Sequence, residues 1–332
     1  MDVTAPIRPN DLFSAKGLVV VITGGGSGLG LAIASTFYQN GAAKIYILGR
    51  RHDVLLNAVE KLQSSVPSDA QNPTSVKEIV CDVTSLSSIQ AAASFIEKET
   101  GYIDVLINNA GVLGPKNSKE IYAATNIHEL SASMLLGWDT WSAALAINTQ
   151  SVIGVSATFL PLLEAANTRR GWAPGKVPAT TGTPRARDTS QFSAHDITPD
   201  DDRMAHIITI ASVASFNRWI SAGLAYSATK CAAMHLGKMM STFLAEWGVR
   251  SECKSIMLNY LRCIKSHRGS NDPECRDLSK SYLACRMDRN LMAPDSFKNL
   301  GFGEDADGRG PAIATSSQPS QPRQGHDKPD GA

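Results

Sequence analysis

The chain has 332 residues, of which 43% are hydrophobic and 19% are charged, and its formal net charge is +1. This size and composition suit one α/β domain with an appendage, or two small globular domains. A charge so close to zero gives no global field to recruit nucleic acid or a membrane surface. Apolar runs such as residues 17–22 are far shorter than the roughly 20 residues of a membrane helix, so we expect no membrane span.

Short β-branched runs alternate with segments of helical period over the first 250 residues. The predicted strands are residues 18–23, 45–48, 78–81, 105–108 and 207–212. The predicted helices are residues 29–39, 54–62, 87–99, 138–163 and 226–247, and residues 112–137 are interpreted as a variable loop. Strict alternation, with strands that are apolar on both faces, predicts a doubly wound parallel sheet of the Rossmann type.

Two segments have neither a helical nor a strand period. Residues 167–205 are rich in Pro, Thr, Arg, Asp and Ser, which predicts a loop inserted into the sheet domain. Residues 303–332 are rich in Gly, Pro, Ser and Gln, which predicts a disordered tail. We therefore divide the chain into a sheet domain (residues 1–250), a cysteine-rich unit (residues 251–302) and the tail.

The signals for cellular compartment disagree along the chain. Residues 1–10 have no apolar core and are not rich in Arg and Ser, which predicts neither a secretory signal nor a presequence. Cys81 and Cys231 are scattered, as in proteins of a reducing cytoplasm. Four further cysteines crowd into residues 253–285, which is typical of disulfides or of a metal site.

A glycine-rich loop lies where the first predicted strand meets the first predicted helix. It reads Thr-Gly-Gly-Gly-Ser-Gly-Leu-Gly over residues 23–30. Glycines let the backbone turn tightly and approach a pyrophosphate, which the helix N-terminus can then bind. An ordinary Gly-rich turn is the alternative, but the position between a strand and a helix favours a dinucleotide site.

The residues after the second predicted strand indicate which dinucleotide binds. An NAD site has a carboxylate here for the ribose 2′-hydroxyl, whereas this chain has Arg50 and Arg51. Arginines can bind the 2′-phosphate of NADP, so the pair favours NADP over NAD. The alternative is that both arginines are solvated residues at a helix start.

Together these motifs resemble those of the short-chain dehydrogenase/reductase family, over residues 15–250. Besides the glycine loop, the matching motifs are Cys81-Asp82-Val83, Asn-Asn-Ala-Gly at residues 108–111, Asn148, Ser212, and Tyr226-x-x-x-Lys230. The resemblance implies that Asp82 contacts the adenine and that residues 108–111 close the fourth strand beside the cofactor. The implied cofactor contacts are Thr23, Gly24, Ser27, Gly28, Leu29, Gly30, Arg50, Arg51, Asp82, Val83, Asn109, Ala110, Gly111, Tyr226 and Lys230.

The resemblance also implies a catalytic tetrad of Asn148, Ser212, Tyr226 and Lys230. Hydride transfer to a carbonyl leaves an alkoxide that must receive a proton. A tyrosine can supply it at neutral pH when a nearby cation stabilises the phenolate. Tyr226 and Lys230 are four residues apart, so on a helix they share one face.

Each member of the implied tetrad has a separate task. Lys230 would also bond the nicotinamide ribose, Ser212 would hold the substrate oxygen, and Asn148 would position a water that links Lys230 to solvent. Taken alone, Tyr226 and Lys230 would be an ordinary helix-surface pair, an interpretation that the joint pattern with Ser212 disfavours. The implied reaction is carbonyl/alcohol hydride transfer on a small-molecule substrate, which the sequence does not identify.

The family pattern ends at residue 250. Family members continue with a sixth strand, a Pro-Gly turn, a substrate-covering segment and a seventh strand, whereas residues 251–254 read Ser-Glu-Cys-Lys. We therefore expect a sheet that lacks its last strands, with an open edge on the fifth strand and exposed apolar helix faces. Weak or absent reductase activity should follow.

The four clustered cysteines form two Cys-x9-Cys segments. Both have helical apolar spacing, and the polar residues 267–273 between them predict a turn. Two antiparallel helices would bring Cys253 opposite Cys285 and Cys263 opposite Cys275, at a spacing that suits disulfides. Two disulfides would stabilise a unit too small for an adequate core. Zinc and inert thiols are the alternatives, although zinc ligands usually lie two to four residues apart, so we expect no metal.

This segment resembles the twin Cys-x9-Cys (coiled-coil-helix–coiled-coil-helix, CHCH) family of the mitochondrial intermembrane space, and within it a cytochrome c oxidase assembly factor. The residues that carry the resemblance are 252–254, Cys263, 275–280, 282–287, 291–292 and 300–302. The resemblance implies import by oxidation and partners in oxidase assembly, and it leaves copper binding open.

Three interpretations of the whole chain stay open. The chain is either an NADP-dependent short-chain oxidoreductase with a fused tail or an oxidase assembly protein with a passenger domain. The third interpretation is that two gene products have been wrongly joined at Arg250–Ser251. The missing strands, the absent N-terminal segment of the assembly factor and the conflict of compartments favour the last. By analogy with family dimers, the two long helices also suit a homo-oligomer.

Overall fold

The structure is a computed structural model that describes residues 14–65, 74–177, 184–190, 201–249, 275–277 and 279–280. The chain separates into two compact units, Met1–Lys254 and Ser255–Ala332. The first unit contains the sheet, and the second contains most of the cysteine-rich segment.

A parallel sheet of five strands forms the centre of the first unit. The strands are β1 (Val19–Thr23), β2 (Lys44–Gly49), β3 (Ser75–Val80), β4 (Val105–Asn108) and β5 (His206–Thr209), in the order β3-β2-β1-β4-β5. Because β1 pairs with both β2 and β4, the strand order reverses at β1. The carboxyl ends of β1 and β4 therefore flank the crevice where doubly wound sheets bind ligands. The predicted parallel Rossmann-type sheet is confirmed.

Helices cover both faces of this sheet. They are α1 (Gly28–Gln39), α2 (His52–Ser64), α3 (Leu86–Glu99), α4 (Ser118–Ala123), α5 (Ile127–Leu135), α6 (Trp141–Leu145), α7 (Ser151–Arg169) and α8 (Leu224–Leu244). Short 3-10 turns occupy Trp138–Thr140, Val213–Ser215 and Ala245–Trp247, and a π-turn, Ala146–Gln150, joins α6 to α7.

Alternate residues of β1 face two separate cores. Val20 and Ile22 pack with the buried residues of α1 and α2, whereas Val19 and Val21 pack with those of α3, α7 and α8. Successive side chains of a strand point to opposite faces, so a strand apolar at every position must be covered twice. Each fully buried aliphatic side chain stabilises the fold by about 1.5–3 kcal/mol.

β5 is the last strand of the sheet within the described residues. There it pairs with β4 alone. Ile208 of β5 is 42% exposed, and Met239 and Phe243 of α8 are 50% and 51% exposed. The predicted open edge and uncovered helix surface are therefore present in this part of the chain.

Two regions differ from the sequence-based expectation. The segment interpreted as a loop over residues 112–137 contains α4 and α5, neither of which has a buried residue. Both helices are short, and the helical spacing of Ile127, Leu130 and Met134 in α5 is a signal that the loop interpretation overlooked. The helix expected over residues 138–163 is interrupted by the π-turn and then continues to Arg169.

A buried ion cluster fastens the end of α7 to the start of two strands. Arg170 is only 1% exposed, forms an ion pair with Asp104, and binds Asp201 through Nε at 3.1 Å. The second carboxylate oxygen of Asp104 accepts a hydrogen bond from the Val19 N–H at 2.7 Å. One guanidinium thus joins α7 to the beginning of both β4 and β1.

Asp201 extends this cluster to Arg203, with a separation of 2.7 Å between Nε and Oδ1. Burial by itself would raise the pKa of Asp201. Hydrogen bonds and charge from Arg203 and Arg170 nevertheless hold that pKa well below its usual range. The carboxylate therefore stays ionised and ties residues 201–203 to the domain.

The described parts of the inserted segment lie against the rest of the first unit. The Val177 N–H and the Arg185 guanidinium both donate to the Glu246 carbonyl, each at 2.7 Å. The Asp188 N–H donates to the Gly171 carbonyl at 2.8 Å. Residues 178–183 and 191–200 of the predicted insertion lie outside the described residues.

Few residues of the second unit are described. Residues 275–277 and 279–280 are helical, and Cys275 is buried and disulfide-bonded. Cys253, Cys263 and Cys285 lie outside the described residues. The pairing of Cys253 with Cys285 and of Cys263 with Cys275 therefore stays a prediction, as do the hairpin and the tail.

One helical stretch, Ile127–Arg169, is long and apolar enough to span a membrane by length and composition alone. Its α7 portion includes Phe159 and Leu163, which are fully buried against the sheet. A core helix meets the same criterion, so the stretch gives only weak support for a span.

Replacing Arg170 with methionine tests the buried ion cluster. Arg170→Met leaves Asp104 buried without its cation, so we expect the free energy of unfolding to fall by about 3–5 kcal/mol. Urea denaturation at neutral pH measures the change. The control is Lys176→Met, because Lys176 is 52% exposed in its pair with Glu246 and such pairs contribute about 0–1 kcal/mol. Equal losses for the two variants would contradict this account.

Candidate active site

The glycine-rich loop joins β1 to α1 through a close backbone approach. Gly24 has a φ of +67° and Gly28 a φ of +53°, values that favour glycine. A Cβ on Gly30 would lie 2.2 Å from the carbonyl oxygen of Gly24. The close approach of α1 to β1 therefore requires glycine at position 30, and the positive φ angles favour it at positions 24 and 28.

The N-terminus of α1 is open toward a ligand. Its N-cap residue, Ser27, makes no side-chain hydrogen bond to the helix, and the first turn has no acidic residue. Leu29 in that turn is 68% exposed. Unpaired N–H groups and the positive end of the helix dipole make such a terminus suitable for a phosphate.

Thr23 and Asn109 hold the loop against the end of β4. The Thr23 hydroxyl accepts hydrogen bonds from the N–H groups of Asn109 and Ala110, at 3.0 and 3.1 Å. The Asn109 amide donates to the carbonyls of Thr23 and Gly24, at 2.9 and 3.2 Å. Both residues were expected to contact the cofactor, and the structure shows them bracing the loop.

A cleft of about 170 Å³ opens beside this loop. Residues already expected at the cofactor line it: Gly24, Ser27, Arg50, Arg51, Asp82, Val83, Ala110 and Gly111. The other lining residues were not expected at the site from the sequence: Gly26, Gly49, Val54, Leu55, Cys81, Val112 and Ile147. Most of the latter adjoin a recognised motif in the chain, which is the signal that could have revealed them.

The charged side chains of the cleft suit a phosphorylated ribose and an adenine. Arg50 and Arg51 are exposed, and neither forms an ion pair within the part of the chain that the structure describes. The Asp82 carboxylate accepts from the N–H and the hydroxyl of Thr84, at 2.9 and 2.8 Å. These two hydrogen bonds, with a smaller effect of the Arg50 charge, hold the pKa of Asp82 below its usual value.

Asn148 lies at the centre of the π-turn and is 1% exposed. Its Oδ1 accepts from the Val112 N–H at 2.8 Å, and its Nδ2 donates to the Val112 carbonyl at 2.8 Å and to the Thr229 hydroxyl at 2.9 Å. This reciprocal bonding fixes which end of the amide is oxygen. π-Turns are frequent at functional sites, and this one aims an amide at the turn after β4.

Lys230 approaches the same turn from α8. Its side chain is buried, and Nζ donates to the Ile210 carbonyl at 2.7 Å. Burial lowers the pKa of Lys230. A Cβ on Gly111 would lie 3.1 Å from Asn148 Oδ1 and 3.4 Å from Lys230 Nζ, so the two side chains converge on this glycine.

Ser212 and Tyr226 complete the predicted tetrad but are less closely connected to it. Ser212 follows β5, and its Oγ accepts from the Ala214 N–H at 3.2 Å, capping a 3-10 turn. Tyr226 is in the first turn of α8 and half-buried. Among the described residues, its hydroxyl makes no hydrogen bond. The structure thus brings Asn148 and Lys230 together, and shows no direct bond from either to Ser212 or to the Tyr226 hydroxyl.

Thr229 is a site residue that sequence reasoning missed. Its hydroxyl accepts from Asn148 Nδ2, and its carbonyl accepts from the Thr149 hydroxyl at 3.0 Å. These bonds fasten α8 to the π-turn one residue before Lys230. A threonine beside the lysine motif is too common to signal this role from sequence.

A family model described as short chain dehydrogenase matches residues 18–171 of the chain. Among curated relatives, the short-chain dehydrogenase/reductase VdtF of Byssochlamys spectabilis is 32% identical over 252 residues, which is 74% of each chain. Among solved structures, a short chain dehydrogenase from Mycobacterium smegmatis has a TM-score of 0.50 at 21% identity, and the match covers 74% of this chain and 79% of that one. The structural likeness shows the fold, and the sequence similarity shows the family.

A second similarity concerns the cysteine-rich part of the chain. The cytochrome c oxidase assembly protein COX19 of Eremothecium gossypii is 45% identical over 73 residues, which is 22% of this chain and 72% of that protein. The chain therefore belongs to the short-chain dehydrogenase/reductase family and carries, after its sheet domain, a segment homologous to COX19.

Proposed function

We propose that the sheet domain binds NADP and is built for hydride transfer between a carbonyl and an alcohol. The observation that carries this proposal is the convergence of Asn148 and Lys230 on Gly111, which itself lines the cleft beside the glycine loop.

The cleft fits an NADP dinucleotide in three respects. Glycines at positions 24 and 30 let α1 begin close to the end of β1, the N-terminus of α1 is uncapped by Ser27, and two exposed arginines line the wall. When bound, the nicotinamide supplies or accepts the hydride. The protein's own task is to orient the reactants and to move one proton.

Proton transfer would occur at the Tyr226 hydroxyl. An ammonium group has three N–H donors, and Lys230 uses one of them on the Ile210 carbonyl. The other two are available to stabilise the Tyr226 phenolate and to bond a ribose hydroxyl. The Asn148 oxygen keeps a second lone pair, which can hold a water beside Lys230. Because Ser212 Oγ only accepts in its cap, its hydrogen is free to bond the substrate oxygen.

The preference for NADP is tested by reversing one charge. Arg50→Asp removes a guanidinium that would bond the 2′-phosphate and introduces repulsion. We expect the Kd for NADPH to rise at least tenfold and the Kd for NADH to change less than about threefold. Fluorescence titration of the purified full chain measures both constants.

Lys61→Asp is the matched control, because Lys61 lies in the last turn of α2, at the opposite end from Arg50. It makes the same change of net charge and should leave both constants unchanged. An equal loss of NADPH and NADH affinity in Arg50→Asp would remove the argument for a 2′-phosphate contact. Tighter binding of NADH than of NADPH by the unaltered chain would do the same.

We further propose that reduction by this chain is strongly impaired. The open edge at β5 and the exposed face of α8 adjoin the elements that carry Ser212, Tyr226 and Lys230. Because the described residues leave this side uncovered, the tetrad would not be held rigidly, and misplacement by about 1 Å can cost about 100-fold in rate.

NADPH oxidation by the full chain, with a panel of small ketones, tests this impairment. We expect a rate no higher than that of its Tyr226→Phe variant, although NADPH still binds. A control variant, Tyr102→Phe, changes a tyrosine that precedes β4 at the other end of the sheet. A clear rate that only Tyr226→Phe lowers, by about 10²–10⁴-fold, would contradict the impairment while supporting the role of Tyr226.

A second function is proposed for the C-terminal segment. The disulfide at Cys275 and the 45% identity to COX19 support a disulfide-linked helical hairpin that takes part in cytochrome c oxidase assembly. We place this activity in the mitochondrial intermembrane space, where disulfides can persist. The sheet domain by itself is proposed to be cytoplasmic.

Peptide mapping of the protein from its native cell tests both the disulfides and the join. Without reduction, we expect linked peptides that pair Cys253 with Cys285 and Cys263 with Cys275. If the two parts are one protein, chymotrypsin should release residues 248–257, which span Arg250–Ser251. If peptides of both parts are found, each with other neighbours and without this one, the two functions belong to separate proteins.

A further inference from the structure

The helix that carries Tyr226 and Lys230 begins without a side-chain cap of its own. Its N-cap residue, Gly223, has a φ of +106°, which favours glycine. A Cβ on Gly223 would lie 2.3 Å from the Pro115 carbonyl oxygen. The segment before α4 therefore approaches the start of α8 so closely that no residue with a capping side chain fits there.

Asn117 supplies a cap from that segment. Its Oδ1 accepts a hydrogen bond from the Leu224 N–H at 3.2 Å, across a separation of 107 residues. Leu224 is the first residue of α8, and the first N–H groups of a helix have no acceptor within it. The side chain of Asn117 is 1% exposed, so water competes little for this bond.

Asn117 directly precedes α4 in the chain, but its capping oxygen bonds α8 instead. Asn117 is the N-cap residue of α4 but makes no side-chain hydrogen bond to α4. Its Nδ2 is buried without a partner among the described residues. Because asparagine is a preferred N-cap residue, its use on a distant helix indicates that the oxygen serves α8.

The segment that presents Asn117 is fixed at its other end by the candidate active site. It begins at Gly111, on which Asn148 and Lys230 converge, and continues through Val112, which bonds Asn148 twice. Tyr226 is the third residue of α8 and Lys230 the seventh. A shift of the first turn of α8 would therefore move both side chains relative to Gly111.

We propose that Asn117 is a positioning residue, which acts as the N-cap of α8 and thereby sets Tyr226 and Lys230 against the cofactor cleft. The inference rests on the proposed function of that cleft. Capping α8 requires a hydrogen-bond acceptor at residue 117 but no donor. Two substitutions can separate these two properties.

The experiment compares Asn117→Ala with Asn117→Asp in the full chain. Aspartate keeps the acceptor and places a negative charge at a helix N-terminus, where it is favourable. We expect Asn117→Ala to raise the Kd for NADPH about three- to tenfold, because Lys230 would bond the nicotinamide ribose. Asn117→Asp should stay within about twofold of the unaltered chain.

Hydrogen exchange of the peptide that covers residues 222–228 gives a second measurement, independent of the cofactor. Loss of the cap should accelerate exchange at the start of α8 about fivefold in Asn117→Ala, and not in Asn117→Asp. Asn126→Ala is the matched control, because Asn126 caps α5 through bonds to the N–H groups of His128 and Glu129. It should cost similar stability and change neither measurement.

The outcomes separate this inference from the proposed function. If the unaltered chain does not bind NADPH, the proposed function fails, and hydrogen exchange still decides whether Asn117 caps α8. If Asn117→Asp behaves like Asn117→Ala in both measurements, the unpaired Nδ2 rather than the oxygen matters, and the capping role is wrong. If Asn126→Ala weakens NADPH binding equally, the effect is one of general stability, and the positioning role is overturned.

Discussion

The candidate site depends on the reciprocal hydrogen bonds between Val112 and Asn148. Both the N–H and the carbonyl of Val112 bond the Asn148 amide, which fixes the turn after β4 against the π-turn. On one side of this contact, Asn109 holds the glycine loop, and on the other, Asn117 holds the start of α8. The glycine loop and the helix of the proposed proton donor thus take their positions from one short segment.

Among the described residues, packing is tight around β1, where a dinucleotide would bind, and loose around β5 and α8, where a substrate would react. β1 is buried at every residue between two neighbouring strands and two cores, and the cluster around Arg170 fastens its beginning. β5 and α8, by contrast, leave apolar surface uncovered in the described residues. Because different strands form the two regions, loose packing at β5 need not disturb the glycine loop beside β1.

The sheet domain and the C-terminal segment, each homologous to a different family, differ in the oxidation state of their cysteines. In the sheet domain, Cys81 is a free thiol, and burial raises its pKa, which disfavours the reactive thiolate. In the C-terminal segment, Cys275 is disulfide-bonded. Scattered free thiols suit a reducing compartment, whereas disulfides form and persist mainly in an oxidising one. This conflict is what makes the peptide across Arg250–Ser251 decisive for the functional assignment.

The amino-acid sequence was enough to predict the strand–helix alternation, the parallel sheet, the glycine loop and the family, because apolar periodicity and the need for glycine are local properties. It also predicted the open edge that β5 has within the described residues. It could not reveal α4, a helix of six residues with none buried, or the π-turn that aims Asn148, whereas the apolar spacing of α5 was present in the sequence. Nor could it assign Thr229, or the diversion of Asn117 from its own helix to α8. The roles of Thr229 and Asn117 depend on hydrogen bonds between residues about 80 to 107 positions apart in the sequence. Only the packing of α8 against the rest of the domain brings these residues together.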